Sequence, residues 1–445
     1  MNNKPKSHTQ IQVSCESSLP ASSSEISKGF KMTEFDPLPE EWQVVRLGDV
    51  ADYINGYTFK STQWGKSGKP IIRIQNLTGT SQDYNFFDGE IPKKYLVRPG
   101  DILISWSASL DVFIWHGPEA WLNQHIFKVQ NIRDDVYPLF LFYATKTVID
   151  SLRSKTHGST MKHVTRRAFV STLIPLPPLP EQRTIAYVLR TVQRAKEATE
   201  RVIAALTELK KSLMKHLFTY GPVSLDQADQ VPLKETEIGP VPEHWNVVQL
   251  GEILKLRKGT IHPDEVPNAR YVGLEHLDSG EIWIRRFGKA SDTKSAKAVF
   301  KTGDILYGKL RPYLDKAALA EWDGVCSTDI LVLTPQDDFD AVFTAYLIHS
   351  SFVLAHAVAT TTGVNHPRTS WRALKQAAIP LPPLDEQHEI ARILQTVDRK
   401  IEAEEARKEA LEALFRTLLH HLMTAKVRLT REFIATFEKE LEGTL

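Results

Sequence analysis

Cysteine is nearly absent. Cys15 and Cys326 are the only two in 445 residues, too few and too far apart for a disulfide framework or a zinc site. That usage fits a reducing cytoplasmic setting. Long apolar runs are missing too, since no stretch approaches the roughly 20 residues of a membrane span. The first thirty residues carry Lys4 and Lys6 with no apolar core behind them, so they do not read as a signal peptide. Charge of one sign is also lacking. The formal net charge is +1, with 42% hydrophobic and 24% charged residues. Composition therefore describes an ordinary globular chain and names no ligand.

What is present is a repeat. IPLPPLPEQRTIAYVLRTV, Ile174 to Val192, returns as IPLPPLDEQHEIARILQTV, Ile379 to Val397, with thirteen of nineteen positions identical. Upstream, LPEEWQVVRLGDV from Leu38 matches VPEHWNVVQLGEI from Val241, and PGDILI from Pro99 matches TGDILY from Thr302. Downstream, KSLMKHLFT from Lys211 matches RTLLHHLMT from Arg416, and the offset stays between 200 and 205 throughout. A tandem duplication with little net insertion follows.

Each copy reads as a mixed head followed by a long helix. KPIIRIQNL (Lys69 to Leu77), GDILISW (Gly100 to Trp106) and DILVLTP (Asp329 to Pro335) have strand composition. Asp135 to Ser154 and Phe339 to Ala357 have helical apolar spacing. PLPPL has the PxxP spacing of an SH3 ligand, yet it stands before a helix start in both copies and so reads as a stiff connector. Asp385 suits an N-cap, and Glu181 and Glu386 suit the positive end of a helix dipole. From Glu181 to Phe218 a heptad seam can be written, with Ile185, Val192, Leu206 and Leu213 in one column and Val188, Ala195, Val202 and Leu209 in the other. Thr199 interrupts the first column. The second helix keeps such a seam at its ends, through Ile390, Ile393, Val397, Leu411, Leu414 and Leu418, around a polar middle of Lys400, Glu404 and Arg407.

The fold class is therefore α+β, with two pseudo-repeated heads separated by two long helices that pair as an antiparallel coiled coil. The boundaries are a disordered tail over 1–35, head one over 36–180, a spacer helix over 181–219, a linker over 220–236, head two over 237–385, a second spacer helix over 386–426 and a tail over 427–445. Two heads on a rigid spacer imitate a two-fold dimer while remaining free to diverge.

Charge distribution suggests a partner. No acid occurs between Asp150 and Glu181, where Arg153, Lys155, Lys162, Arg166 and Arg167 lie, nor between Ala341 and Leu384, which holds Arg368, Arg372 and Lys375. From Arg285 to Lys316 nine Lys or Arg, Lys309 and Arg311 among them, face three Asp. Segregated basic stretches on a near-neutral chain suit the phosphates of double-stranded DNA. Lys162, His163, Arg166 and Arg167 in head one, and Asn365, His366 and Arg368 in head two, are candidates for phosphate contacts. Read as strands, KPIIRIQNL and YVGLEHL keep apolar positions and change the polar ones. Arg73, Gln75 and Asn76 face Glu275 and His276 as candidate base contacts or as solvated strand residues.

The divergent heads, the twice-used PLPPLxEQ segment, the PEEW/PEHW motifs and the GDIL strands resemble the specificity subunit of type I restriction-modification systems, over Asp36 to about Lys426. The resemblance implies two target recognition domains, each reading half of an interrupted DNA site, with the helices fixing the gap. It also implies two docked adenine-N6 methyltransferase subunits and ATP-driven restriction (translocase) subunits. S-adenosylmethionine, ATP and Mg then belong to those partners, and this chain has no cofactor, no metal site and no catalytic residue. Tyr187, Leu189, Leu394 and Ile401, off the written seam, are candidates for docking partners or for packing on the heads.

Catalytic signatures fail. Gly65-Lys66-Ser67 lacks the earlier Gly of a phosphate loop, because Lys60 stands there. Pro263-Asp264 with Asp292-Thr293-Lys294 has the loose spacing of a metal-dependent endonuclease, which is the alternative function, but it has no counterpart in the first copy. Asp101 and Asp304, each following Gly at a strand start, read as turn residues.

Overall fold

In the computed structural model, which describes residues 29–107, 109–155, 165–363 and 365–442, the chain divides into two compact units. One comprises residues 1–198 with 408–445, the other residues 199–407. The long helices run Leu179–Tyr220 and Leu384–Met423. Each unit thus owns one head, half of one long helix and the opposite half of the other, and the helices pair as an antiparallel coiled coil.

In the first unit a lead-in strand, Gln43–Arg46, pairs antiparallel with the lead-out strand Leu173–Leu176. Between them lie two four-stranded sheets. One is antiparallel, in the order Asp52–Asn55, Ile126–Gln130, Ile102–Ser105, Asp111–Ile114. The other sets Lys69–Ile72 parallel to Ala120–Leu122. Helix Pro138–Lys155 and the core around Trp42, Tyr53, Phe127 and Phe140 close the head, and Ile185 and Leu189 of the long helix join that core.

The second unit repeats the plan. Asn246–Gln249 pairs with Ala378–Leu381, and an antiparallel sheet runs Leu254–Leu256, Ile330–Pro335, Ile305–Gly308, Ala317–Leu319. Arg270–Val272 lies parallel to Gly324–Cys326 in the other sheet, which has five strands.

The repeated motifs meet at the base of each head. Trp42 Nε1 donates to Glu181 Oε2 at 3.0 Å, and Trp245 Nε1 donates to Glu386 Oε2 at 2.9 Å. Gln182 Nε2 donates to the Pro177 carbonyl while its Oε1 accepts from Tyr137 N. Gln387 does the same between Pro382 and Asp340. The Glu-Gln pair thus clasps the PEEW or PEHW tryptophan and the start of the head helix to the first turn of the long helix. Placing the carboxylate there also suits the helix dipole.

Several expectations are corrected. The tail over 1–35 ends earlier than expected, because Phe30–Thr33 pairs with Asp36–Pro39 as a hairpin. Likewise, the end of the 220–236 linker, Leu233–Thr236, pairs with Gly239–Pro242. The C-terminal tail contains helix Arg431–Glu442, held by Arg183–Glu438 at 2.9 Å and by Phe437 against Tyr187 at 4.6 Å between ring centroids. Asp385 lies inside the first helical turn rather than at its cap. The stretch expected as one helix, Phe339 to Ala357, is two, Ala341–Ile348 and Ser351–Ala359, bent by 54° at His349 and Ser350. No single helix among the described residues is long and apolar enough to cross a membrane.

The seam differs by one residue in its second column. The first columns hold, with Ile185, Thr199 and Ile390 buried. The second columns are Leu189, Lys196, Ile203, Lys210 and Leu217 on the first helix, and Leu394, Ile401, Lys408, Phe415 and Leu422 on the second. Val202, Leu209 and Leu414, expected inside, are 41, 46 and 45% exposed. Heptad spacing allows either column beside the first, and head packing selects the later one despite its lysines. Leu189, Leu394 and Ile401 are therefore buried seam residues and not a docking face, and Tyr187 is partly covered by Phe437.

Candidate nucleic-acid interface

In head two the predicted residues gather around one loop. Strand Ile305–Gly308 runs out through Lys309 and Leu310 to Arg311, turns over Pro312–Leu314 and returns at Asp315. A second loop grips it. Arg311 N donates to the Pro367 carbonyl at 2.7 Å, Thr369 N donates to the Lys309 carbonyl at 3.0 Å, and Thr362 and Arg368 exchange backbone bonds beside it. Asp329 sits between the basic side chains, 3.4 Å from Arg368 Nη2 and 4.0 Å from Lys309 Nζ. Asn365, His366 and Arg368 are exposed on the gripping loop, and Arg311 is exposed opposite. Lys316 Nζ donates to the Leu274 carbonyl at 2.6 Å, which ties the Leu274–His276 turn to the same place.

That turn corrects a local expectation in both heads. The strand ends at Ile72, and Ile74–Leu77 forms a helical turn; in head two the strand ends at Val272, and Leu274–His276 forms a 3-10 turn. Arg73, Gln75 and Glu275 therefore do not lie along a strand face. A side chain competes with the sheet for the backbone amide: Asn76 Oδ1 accepts from Arg73 N at 3.0 Å, and His276 Nδ1 accepts from Gly273 N at 2.9 Å. Asn76 Nδ2 also donates to the Asp83 carbonyl at 2.9 Å. Both residues thus hold their own turns. Glu275 is exposed, and Arg73 lies 5.6 Å over the ring of Trp64.

Among the described residues, head one brings fewer of the candidates together. Thr165 caps helix Arg166–Val170, and Arg166 Nε donates to the Tyr53 carbonyl at 3.1 Å, leaving Arg167 exposed beside it. Lys162 and His163 lie outside the described residues. The position that is Lys309 in head two is Trp106 here. Its indole stacks on Phe127 at 5.6 Å and donates to Asn55 Oδ1 at 3.1 Å. Sequence reasoning missed Trp106, Tyr313, Leu314 and Asp329. The GDIL alignment carried the signal for the first, since the register that pairs Ile104 with Tyr307 sets Trp106 against Lys309.

The turn aspartates are where they were expected. Asp101 Oδ2 accepts from Arg98 N at 2.8 Å, and Asp304 Oδ2 accepts from Lys301 N at 2.7 Å. Asp304 also takes a bidentate contact from Arg257, whose guanidinium this pairing holds above its ordinary value. As for the endonuclease alternative, Asp292 Oδ2 accepts from Lys289 N and Asp264 pairs with His262. Each serves its own turn.

A family model described as the type I restriction modification DNA specificity domain matches this chain twice, over residues 39–208 and 242–413. The MjaVIII type I restriction enzyme specificity subunit of Methanocaldococcus jannaschii is 27% identical over 420 residues, covering 88% of this chain and 94% of that protein. The EcoBI specificity subunit of Escherichia coli is 25% identical over 376 residues, covering 79% and 78%. In fold, the chain is similar to the crystal structure of a type I S subunit from M. genitalium, with a TM-score of 0.53 at 16% identity over 86% of this chain and 96% of that one. A chain of a type I restriction-modification complex gives a TM-score of 0.51 at 18% identity, over 87% and 98%. None of these matches supports the endonuclease reading. With both heads and most of each long helix inside the match, the chain belongs to the type I restriction-modification DNA specificity family.

Proposed function

We propose that this chain gives a type I restriction-modification complex its DNA sequence specificity, with each head binding one half of a bipartite, asymmetric target. The long helices set the gap between the halves and dock two methyltransferase subunits, and restriction (translocase) subunits complete the assembly in the cytoplasm. The chain itself has no catalytic role, and S-adenosylmethionine, ATP and Mg are held by its partners.

The observation that carries this reading is the pairing of a repeated scaffold with divergent loops. The Trp-Glu clasp recurs within 0.1 Å in the two units, whereas the residue that follows the matching strand is Trp106 in one head and Lys309 in the other. Arg166, Arg167, Lys309, Arg311 and Arg368 supply phosphate contacts, which set register without reading sequence. Lys162, His163, Asn365 and His366 are assigned with them. Arg73, Gln75 and Glu275 are left as base contacts, while Asn76 and His276 act by shaping the turns that present them.

Methylation mapping tests this reading. The chain is expressed with its methyltransferase subunits in cells lacking type I modification, and adenine methylation is located by long-read sequencing. One bipartite motif is expected. Replacing residues 43–176 by another head should change one half of the motif and leave the other half intact. An insertion of one heptad in each long helix should lengthen the gap or abolish modification. Simultaneous change of both halves on a single head exchange would sink the two-reader assignment.

A further inference from the structure

Arg311 and Asp315 stand at the two ends of the Pro312–Leu314 turn with φ of 51° and 49°. Side chains with a Cβ avoid this left-handed region, so two such residues in five mark a turn that its surroundings impose. The anchors are visible. Arg311 N is bound to Pro367, Asp315 N donates to the Pro312 carbonyl at 2.9 Å, and the Asp315 carbonyl accepts from Gly280 N at 2.9 Å. Asp315 Oδ1 lies 2.8 Å from Nδ1 of the buried His349. His349 stands at the 54° break between the two head helices, so that break delivers the imidazole to the loop.

This anchored pedestal raises apolar surface into solvent. Pro312 is buried beneath it, while Tyr313 is 55% and Leu314 39% exposed. Lys309, Arg311 and Lys316 share the loop with the pair and Arg368 lies on the loop that grips it; Lys309 and Arg368 face Asp329, Lys316 is held by the Leu274 carbonyl, and Asp315 is tied to His349. Among the described residues head one shows no equivalent, and its connection at this place is shorter, five residues over 106–110 against eight over 309–316.

We propose that Tyr313 and Leu314 form a wedge that enters the base stack of the duplex held by head two, with Asp315 and His349 as its positioning pair. The proposal rests on the reading of the heads as DNA binders. An aromatic or aliphatic side chain pressed against a base step unstacks it, and flanking cations on the phosphates hold the duplex against the wedge. Because head two alone carries the device among the described residues, distortion is expected in that half-site.

The test uses the complex assembled with its methyltransferase subunits and a duplex of the mapped motif, with 2-aminopurine placed in turn at each position of head two's half-site. The wild-type complex is expected to raise fluorescence at one step. Tyr313→Ala should lose that signal and weaken binding on the order of tenfold, and Tyr313→Phe should retain both. His349→Ala should dim the signal, and His349→Asn, which keeps a donor near the Nδ1 position, should restore it. Preserved thermal transitions in each variant establish that folding is intact. Wild-type signal and affinity in Tyr313→Ala would overturn the wedge, as would a Tyr313→Phe variant as impaired as Tyr313→Ala. Loss of subunit assembly in Tyr313→Ala would assign the pair to a protein interface instead. If the wild-type complex methylates no bipartite motif, the DNA-reading function fails, and the wedge with it.

Discussion

Lys210 Nζ lies 2.7 Å from Asp398 Oδ1 inside the helical seam of the second unit, with both side chains buried. Tyr346 donates to the other carboxylate oxygen at 2.6 Å, and burial together with that charge pushes its phenol well above the ordinary range. The equivalent residues in the first unit are uncharged: Tyr143 donates to Gln193 at 3.0 Å and Phe415 occupies the position of the lysine. Removing one member of a buried ion pair strands the other. Asp398→Ala is expected to cost about 3–5 kcal/mol, and Lys210→Met combined with Asp398→Leu should cost less than either single change. Denaturant midpoints of the three variants check this.

The two turn aspartates should differ. Asp304 is buried under a bidentate Arg257, with Thr334 at 2.6 Å, whereas Asp101 keeps solvent contact beside Lys128. Asp304→Ala is expected to cost about 3 kcal/mol and Asp101→Ala about 1 kcal/mol, read from thermal melts.

The shifted seam makes a sharp pair of substitutions. Leu217→Ala empties a buried position and should cost about 2–5 kcal/mol. Leu209→Ala, on the exposed side, should stay within about 0.5 kcal/mol. The reverse order, in either chemical or thermal unfolding, would put Leu209 in the seam and Leu217 outside it.

Cys326 is buried in the core of head two, where burial and the Asp304 charge push its thiol up to about 12. At neutral pH the thiolate that reacts with alkylating agents is therefore scarce. Iodoacetamide should leave the Cys326 peptide unmodified in the native protein and label it fully in guanidinium, as followed by mass spectrometry.

Acid should loosen the C-terminal segment. Burial pushes the Glu41 carboxyl up, but its backbone hydrogen bond and Arg428, 2.9 Å away, outweigh this and hold it below the ordinary value. A carboxyl depressed by folding contributes stability above its unfolded value and loses that contribution as pH falls through its folded one. The melting-temperature gap between wild type and Glu41→Gln should therefore be full at neutral pH and close below about pH 4.

Much of this molecule was legible because duplication repeats every signal twice. The helices and the heads followed from matching motifs such as PEEW with PEHW, and the basic stretches from the segregation of charge, although matching could not reveal that Trp42 and Glu181 touch. What escaped was decided by competition among contacts. Ile72 and Ile74 alternate like a strand, yet Asn76 captures the Arg73 amide and ends it. Lys196 and Lys210 look wrong for a seam until Glu412 and Asp398 appear opposite them. Phe339 to Ala357 is apolar enough for one helix, and the pull of Asp315 on His349 accompanies its break. Arg311 and Arg368 could be nominated from charge, but their meeting through Pro367 depends on a loop pairing that spacing does not encode.

The clasped base of each head bears on how such a gene changes. The loops that differ between the heads lie between each paired entry and exit strand, and the stretches beginning at Ile174 and Ile379 repeat nearly the same amino-acid sequence at the exit of each. An unequal crossover between those stretches removes or adds one whole head together with one long helix, and the reading frame survives. The shortened product would carry a single head and a helix without its antiparallel mate, so a second copy of the same product could supply the missing half. If each head reads one half of the target, such a product paired with its own copy would read a palindromic site in place of an asymmetric one.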